Sequence, residues 1–220
     1  MSFEFQETSN QERFHNDENI KYISQITQDA DSSILLDIII GAFKVEKENR
    51  REYFLKIKQY YTNKGMSFDE NFEDYLDNLL KIEWRNVKGA FLEILTYNII
   101  ESYCGDGKLF KECIVKYNGE EGLHPYDIIK TNDDEILLMD IKFSIRYLEN
   151  KHLKYLVEYL TEPRVVSYLL TLDNKQRTEM KIRFIQNENQ IPNNEYLNNI
   201  RLISIEQYYN SILQKECIIN

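Results

Sequence analysis

Two aspartates and a lysine in the second half of this 220-residue chain have the types and spacing for metal-dependent hydrolysis. Asp127 lies in Pro125-Tyr126-Asp127-Ile128-Ile129, and Asp140 closes the apolar run Ile136-Leu137-Leu138-Met139, with Lys142 two residues on. Two apolar runs separated by a short polar turn at Asp133-Asp134 read as a hairpin. With those two residues as its loop, the register sets Asp127 opposite Asp140, where Cβ atoms stand about 5 Å apart and like charges destabilise the ladder. Folding alone gives no reason for that pairing, whereas a hard cation such as Mg²⁺ takes oxygen ligands and does. Lys142 shares the face of Asp140 at strand period two, while Ile141 points into a core. Acid-x-Lys triplets also occur at Asp106-Lys108, Glu149-Lys151, Asp173-Lys175 and Glu179-Lys181, but only Asp140-Lys142 ends an apolar run with an aspartate across from it. The competing reading is a water-facing hairpin that ends in solvated charges.

Pro125-Tyr126-Asp127 followed by Asp140-Ile141-Lys142 resembles the signature of the PD-(D/E)XK, or restriction-endonuclease-like, nuclease superfamily, over about residues 85–145. Tyr126 separates Pro125 from Asp127, and Asp140 stands where that family often has Glu. The family adds an acid on a preceding helix, and Glu93 in Gly89-Ala90-Phe91-Leu92-Glu93 fits that place. The resemblance implies a mixed β-sheet flanked by helices. It also implies Mg²⁺, with Mn²⁺ as a substitute, held by Asp127, Asp140, the Ile141 carbonyl and Glu93. Catalysis would then fall to Asp127, Asp140, Lys142 and Glu93, and phosphate contacts to Arg146, Lys151 and Lys154.

The remaining composition bounds the setting. A 42% hydrophobic content is enough for one sizeable core. The most apolar run, Ile34 to Phe43, is broken by Asp37 and is too short for a membrane span. The N-terminus lacks a signal pattern, which with the thiols points to the cytoplasm. Cys104, Cys113 and Cys217 show no metal-ligand spacing and read as reduced and mostly buried. No Ser, Cys or His arrangement suggests covalent catalysis: His15 and His152 carry no pattern, and His124 reads as a turn histidine. A net charge of −10 is awkward for phosphate binding and requires any nucleic-acid contact to be local, metal-bridged or assisted by a partner.

The elements that must position these residues follow in order. Residues 1–18 read as a loose arm and about 19–26 as a short helix. Asp31-Ser32-Ser33 caps a helix through Ile34, Leu35, Ile38, Ile39 and Phe43 that continues to Tyr60-Tyr61 and stops at Gly65. Ser67 to Glu70 fits a capping box opening a helix with Phe72, Tyr75, Leu76, Leu79 and Leu80. A helix over about 83–103 ends at Gly105 and carries Glu93 beside Gly89 and Ala90, small residues that permit close approach to a sheet. Strands follow over 109–117, around Asp127 and up to Lys142, then a helix through Leu153 and Leu160 closed by Pro163. Strands over 164–172, 180–185 and 201–203 precede a capping box at Ser204 and a final helix to about Gln214. The whole reads as a helical region over 1–82 and an α/β nuclease core over 83–220.

Two functions are expected from this. One, implied by the resemblance, is a Mg²⁺-dependent endonuclease acting on double-stranded DNA in restriction or anti-phage defence, repair or recombination. The closing segment Ile203 to Tyr209, similar to those of type II restriction endonucleases, favours restriction or defence. The other is a nuclease-like subunit, homo-oligomeric or in a larger complex, whose cutting depends on a partner or is lost. The acidic surface and sixteen tyrosines motivate it, although ordinary core and rim packing is the favoured account of those tyrosines.

Overall fold

The hairpin read from the sequence is the middle of a larger sheet. The computed structural model describes residues 2–8, 17–18, 20–21, 34, 37, 41, 45–68, 72–81, 84–122, 124–192 and 195–219. Along these run β1 (Phe3–Glu7), α1 (Arg50–Asn63), α2 (Phe72–Lys81), α3 (Trp84–Tyr103), β2 (Lys108–Tyr117), β3 (Glu120–Glu121), β4 (Tyr126–Thr131) and β5 (Ile136–Lys142). They continue as α4 (Asn150–Val157), β6 (Val165–Thr171), α5 (Lys175–Glu188), α6 (Glu195–Asn199), β7 (Ile200–Ile203) and α7 (Ile205–Gln214). Outside the described residues lie most of the expected helix over 19–26, the caps at Asp31, Ser32 and Ser33, the positions Leu35, Ile38, Ile39 and Phe43, and Asp69-Glu70.

The strands form one seven-stranded sheet in the order β1-β2-β4-β5-β6-β7, with β3 paired to β2. The β1 to β5 half is antiparallel, and β5, β6 and β7 are parallel. This is the mixed sheet flanked by helices that was expected. Parallel neighbours require crossovers, and α4 and α5 supply them. Apolar residues leave the sheet on both faces. Ile128, Met139, Ile141 and Leu170 pack with Phe91, Leu95 and Ile99 of α3 and with Tyr208 and Ile212 of α7. Ile129, Leu138 and Leu169 pack on the opposite face with Leu153 and Leu156 of α4 and Ile182 and Ile185 of α5. Asp37, which interrupts the early apolar run, accepts hydrogen bonds from the Tyr53, Tyr61 and Tyr209 hydroxyls and ties its segment to α1 and α7.

Four expectations need correction. Residues 3–7 are an edge strand rather than part of a loose arm: the alternation Phe3-Glu4-Phe5 stacks Phe3 on Tyr117 at 4.7 Å and Phe5 on Phe110 at 5.2 Å between ring centroids. The helix expected to run on to Tyr61 begins afresh at Arg50, after a 3-10 turn at Lys47–Asn49. Residues 180–185 belong to α5, not to a strand. Asn174 Oδ1 caps that helix by accepting from the Arg177 N–H at 2.9 Å, and Thr178, Ile182 and Ile185 are buried at helical spacing while Met180 and Phe184 stay exposed. Finally, Cys104 and Cys217 are disulfide-bonded, with Cα atoms 4.5 Å apart, and Cys113 is the buried free thiol. A sequence separation of 113 residues hides that pair from any spacing argument.

Candidate active site

The site begins with the turn. The Asn132 carboxamide oxygen accepts from the N–H groups of Asp134 and Glu135, and Asn132 N–H donates to the Glu135 carbonyl, closing a two-residue loop at Asp133-Asp134. Arg164 clamps the loop through the carbonyls of Asn132, Asp133 and Asp134. That loop fixes Thr131 opposite Ile136 and Ile128 opposite Met139, so the next position outward brings Asp127 to the level of Asp140. There the Asp127 side chain takes over from the ladder: its Oδ2 accepts from the Ile141 N–H at 2.5 Å.

Lys142 joins the two acids. Its Nζ donates to Asp140 Oδ1 at 2.6 Å, lies 3.8 Å from Asp127 Oδ2 and reaches the Ile141 carbonyl at 3.4 Å. The side chains are well enclosed, with 6% of Asp140 and 16% each of Asp127 and Lys142 exposed. The other oxygen of Asp140, Oδ2, is buried without a hydrogen-bond partner. A buried carboxylate oxygen left unsatisfied is costly.

Glu93 stands apart from this hydrogen-bonded group. By strand alternation Asp140 and Lys142 share the face of Leu138, which α4 and α5 cover, whereas α3 lies on the face of Ile141. Glu93, carried on α3, is coupled by charge to Asp127, Asp140 and Lys142. Loss of hydration pushes its carboxyl up to about 7, with Glu112 and Asp140 adding to the rise and Lys142 opposing it. Burial likewise holds Asp127 well above the usual carboxylate range, reinforced by Glu93 and Asp140 against the pull of Lys142 and the Ile141 N–H. For Lys142 burial acts downward, but Asp127, Asp140 and Glu93 together keep its ammonium above the ordinary lysine value.

Among the described residues, no three Asp, Glu, His or Cys side chains are gathered closely enough to cage a metal ion. The donor set that does converge is Asp127, Asp140 and the Ile141 carbonyl, with the Lys142 ammonium between them. It fits a hard cation in one specific respect: Asp140 Oδ2 lacks a partner that an oxygen-seeking ion would supply.

The expected phosphate contacts scatter. Arg146 is exposed in the 3-10 turn Ile145–Tyr147 directly after β5, and Lys154 is exposed on α4. Lys151 is ion-paired with Glu149 at 2.8 Å, which offsets its charge. Sequence reasoning passes over a histidine pair. His152 Nδ1 accepts from the Glu149 N–H at 3.0 Å in a reciprocal cap of α4, and the His124 ring stacks on Tyr155 at 4.4 Å and stands 6.3 Å from the His152 ring. Burial and then Lys142 hold His152 below its usual value. The spacing Glu149-x-x-His152 at a helix start is the available signal.

No family model and no curated protein matches the chain. Among solved structures, the small subunit of the heterodimeric restriction endonuclease R.BspD6I superposes with a TM-score of 0.38 at 15% identity, over 66% of this chain and 78% of that one. Protein VC1899 from Vibrio cholerae superposes with a TM-score of 0.42 at 10% identity, over 96% of this chain and 57% of that one. Neither likeness bears on the reaction. No described helix is long and apolar enough to cross a membrane.

Proposed function

We propose that the chain is a metal-dependent endonuclease that hydrolyses phosphodiester bonds of double-stranded DNA. One observation carries this reading: Asp127, Asp140 and Lys142 converge at the open end of the hairpin, and Asp140 keeps a buried oxygen with no partner. Asp127, Asp140 and the Ile141 carbonyl would hold Mg²⁺ or Mn²⁺, with Glu93, coupled to them by charge, completing the shell directly or through water. When bound, such an ion polarises the scissile phosphate and lowers the pKa of a coordinated water. Lys142, which neutralises the two aspartates, would stabilise charge developing on the phosphate oxygens. The Ile141 N–H keeps Asp127 oriented throughout. A role in restriction or anti-phage defence draws on Ile203-Ser204-Ile205-Glu206-Gln207-Tyr208-Tyr209, which is similar to segments closing several type II restriction endonucleases.

Plasmid cleavage in Mg²⁺ tests the reading. Asp140→Ala is expected to abolish cutting, and Lys142→Ala to slow it by about 10²–10³-fold, the usual cost of losing a group that stabilises developing charge. Undiminished cleavage by both variants overturns it. The second reading, a subunit that cuts only with a partner, draws on the net charge of −10 and on Met180 and Phe184 exposed together on α5. An isolated chain that is inactive, but cuts when its partner is supplied, is the outcome that favours it.

A further inference from the structure

We propose that the cleft along the outer edge of β7 is a second contact for the nucleic acid, gripping its sugar-phosphate backbone to one side of the scissile bond; this rests on the nuclease reading. The cleft encloses about 500 Å³. Lys175, Glu179 and Arg183 line it from α5 and Arg201 lines it from β7. Residues 175, 179 and 183 are successive i, i+4 neighbours on one helix face and span about 12 Å of its axis. Arg201 is held in place, its Nη1 donating to the Tyr168 hydroxyl at 2.9 Å and its guanidinium lying 5.7 Å from the centre of that ring. A planar guanidinium fixed in this way presents its remaining donors in one orientation, which suits a phosphate. Lys175, Arg183 and Arg201 are exposed. Three cations face a single lining carboxylate, in a chain whose net charge is −10. Cation charge is therefore concentrated here, as a local nucleic-acid contact requires.

The sheet register ties the cleft to the candidate site. Leu170 pairs with Ile141 on one side and with Ile203 on the other. The edge strand thus lies level with the Asp140–Lys142 row and two strands away, about 10 Å at the usual strand spacing. Because β5, β6 and β7 are parallel, Lys175, four residues beyond Thr171 at the end of β6, opens the cleft at the same sheet end as Lys142. At that separation a backbone seated at Lys142 reaches the cleft within a few phosphates.

The test is fluorescence anisotropy of a labelled duplex in Ca²⁺ across a salt series. It compares wild type with the triple variant Lys175→Ala/Arg183→Ala/Arg201→Ala and with Glu179→Lys. The triple variant is expected to bind at least about tenfold more weakly, with a salt slope shallower by about 2–3, as each lost phosphate contact removes close to one. Glu179→Lys, which adds a cation and leaves the others intact, is expected to tighten binding. Unchanged affinity and slope in both variants overturn the proposal, and so does wild type that binds no duplex. Inorganic phosphate binding that depends on these residues while duplex binding ignores them also overturns it, in favour of a small-anion site. Failure of the nuclease reading is distinguishable: wild type that binds duplex through the cleft yet never cuts in Mg²⁺ or Mn²⁺ removes the reaction and leaves the contact standing.

Discussion

Glu93 keeps part of its surface in solvent, but the protein around it strips hydration from the carboxylate, and Glu112 and Asp140 add like charge. Its proton is held up to about 7, against an ordinary value of 4.5. Between those values the folded protein retains a proton that the unfolded chain has released, so stability falls as pH rises through the window and is complete below it. Glu93→Gln removes that penalty. In chelator, the variant is expected to match wild type near pH 5 and to exceed it at pH 8 by about 1–3 kcal/mol, since a tenfold change in proton affinity is worth about 1.4 kcal/mol. Thermal melts at the two pH values measure this, and a stability gap that does not widen with pH would remove the buried-charge account. The same variant is expected to lose cleavage activity, so charge that weakens the empty fold serves the loaded one. Asp127, Asp140 and Lys142 are legible in the sequence because a two-residue loop and a period of two fix register by counting. Glu93 is legible as a helix residue only. Which layer its helix covers depends on how apolar stripes pair in three dimensions, and no local spacing encodes that.

At the scale of elements, the same limit explains α5. Met180-Lys181-Ile182-Arg183-Phe184-Ile185 alternates as a half-buried strand would, and the sequence by itself supports that period. Two parallel strands on either side, β6 and β7, require a crossover, and the helix wins by burying Thr178, Ile182 and Ile185 with Asn174 at its start. Strands β2, β4, β5, β6 and β7 are all visible, because each is a run bounded by turn residues. The capping box at Ser204 is visible for a similar reason: its two partners are three residues apart. If α5 depends on its cap for a clean start beside the sheet end, Asn174→Ala should cost about 1 kcal/mol, the usual worth of an N-cap side chain. Urea unfolding with an unchanged slope and a lowered midpoint is the expected result. A midpoint equal to wild type would mean that packing of Ile182 and Ile185 alone holds the helix.

The whole molecule is closed by a link between helices far apart in the chain. Cys104 follows the C-terminal end of α3, whose last turn is also held by the Lys130 ammonium donating to the Cys104 carbonyl. Cys217 follows α7, in a tail where Ile218 is buried and the Ile219 carbonyl accepts from Tyr168 at 3.2 Å. The disulfide thus joins the helix that carries Glu93 to the tail that covers β6, across 113 residues of chain. A crosslink over so long a loop restricts the unfolded chain strongly, and on the entropic account is worth roughly 2–4 kcal/mol. Reductant is expected to lower the melting temperature of wild type and to leave Cys217→Ser, already lowered, unmoved. Thiol counting supplies the independent readout. Cys113 is buried, and loss of hydration followed by Glu7 and Glu112 pushes its thiol up to about 11, so the native protein should react with none of the reagent. Unfolded without reductant, the chain should show one thiol, Cys113; unfolded after reduction, it should show all three of its cysteines. Three thiols before reduction, together with a melting temperature indifferent to reductant, would dissolve the link and leave the tail held by Ile218 and Tyr168 alone.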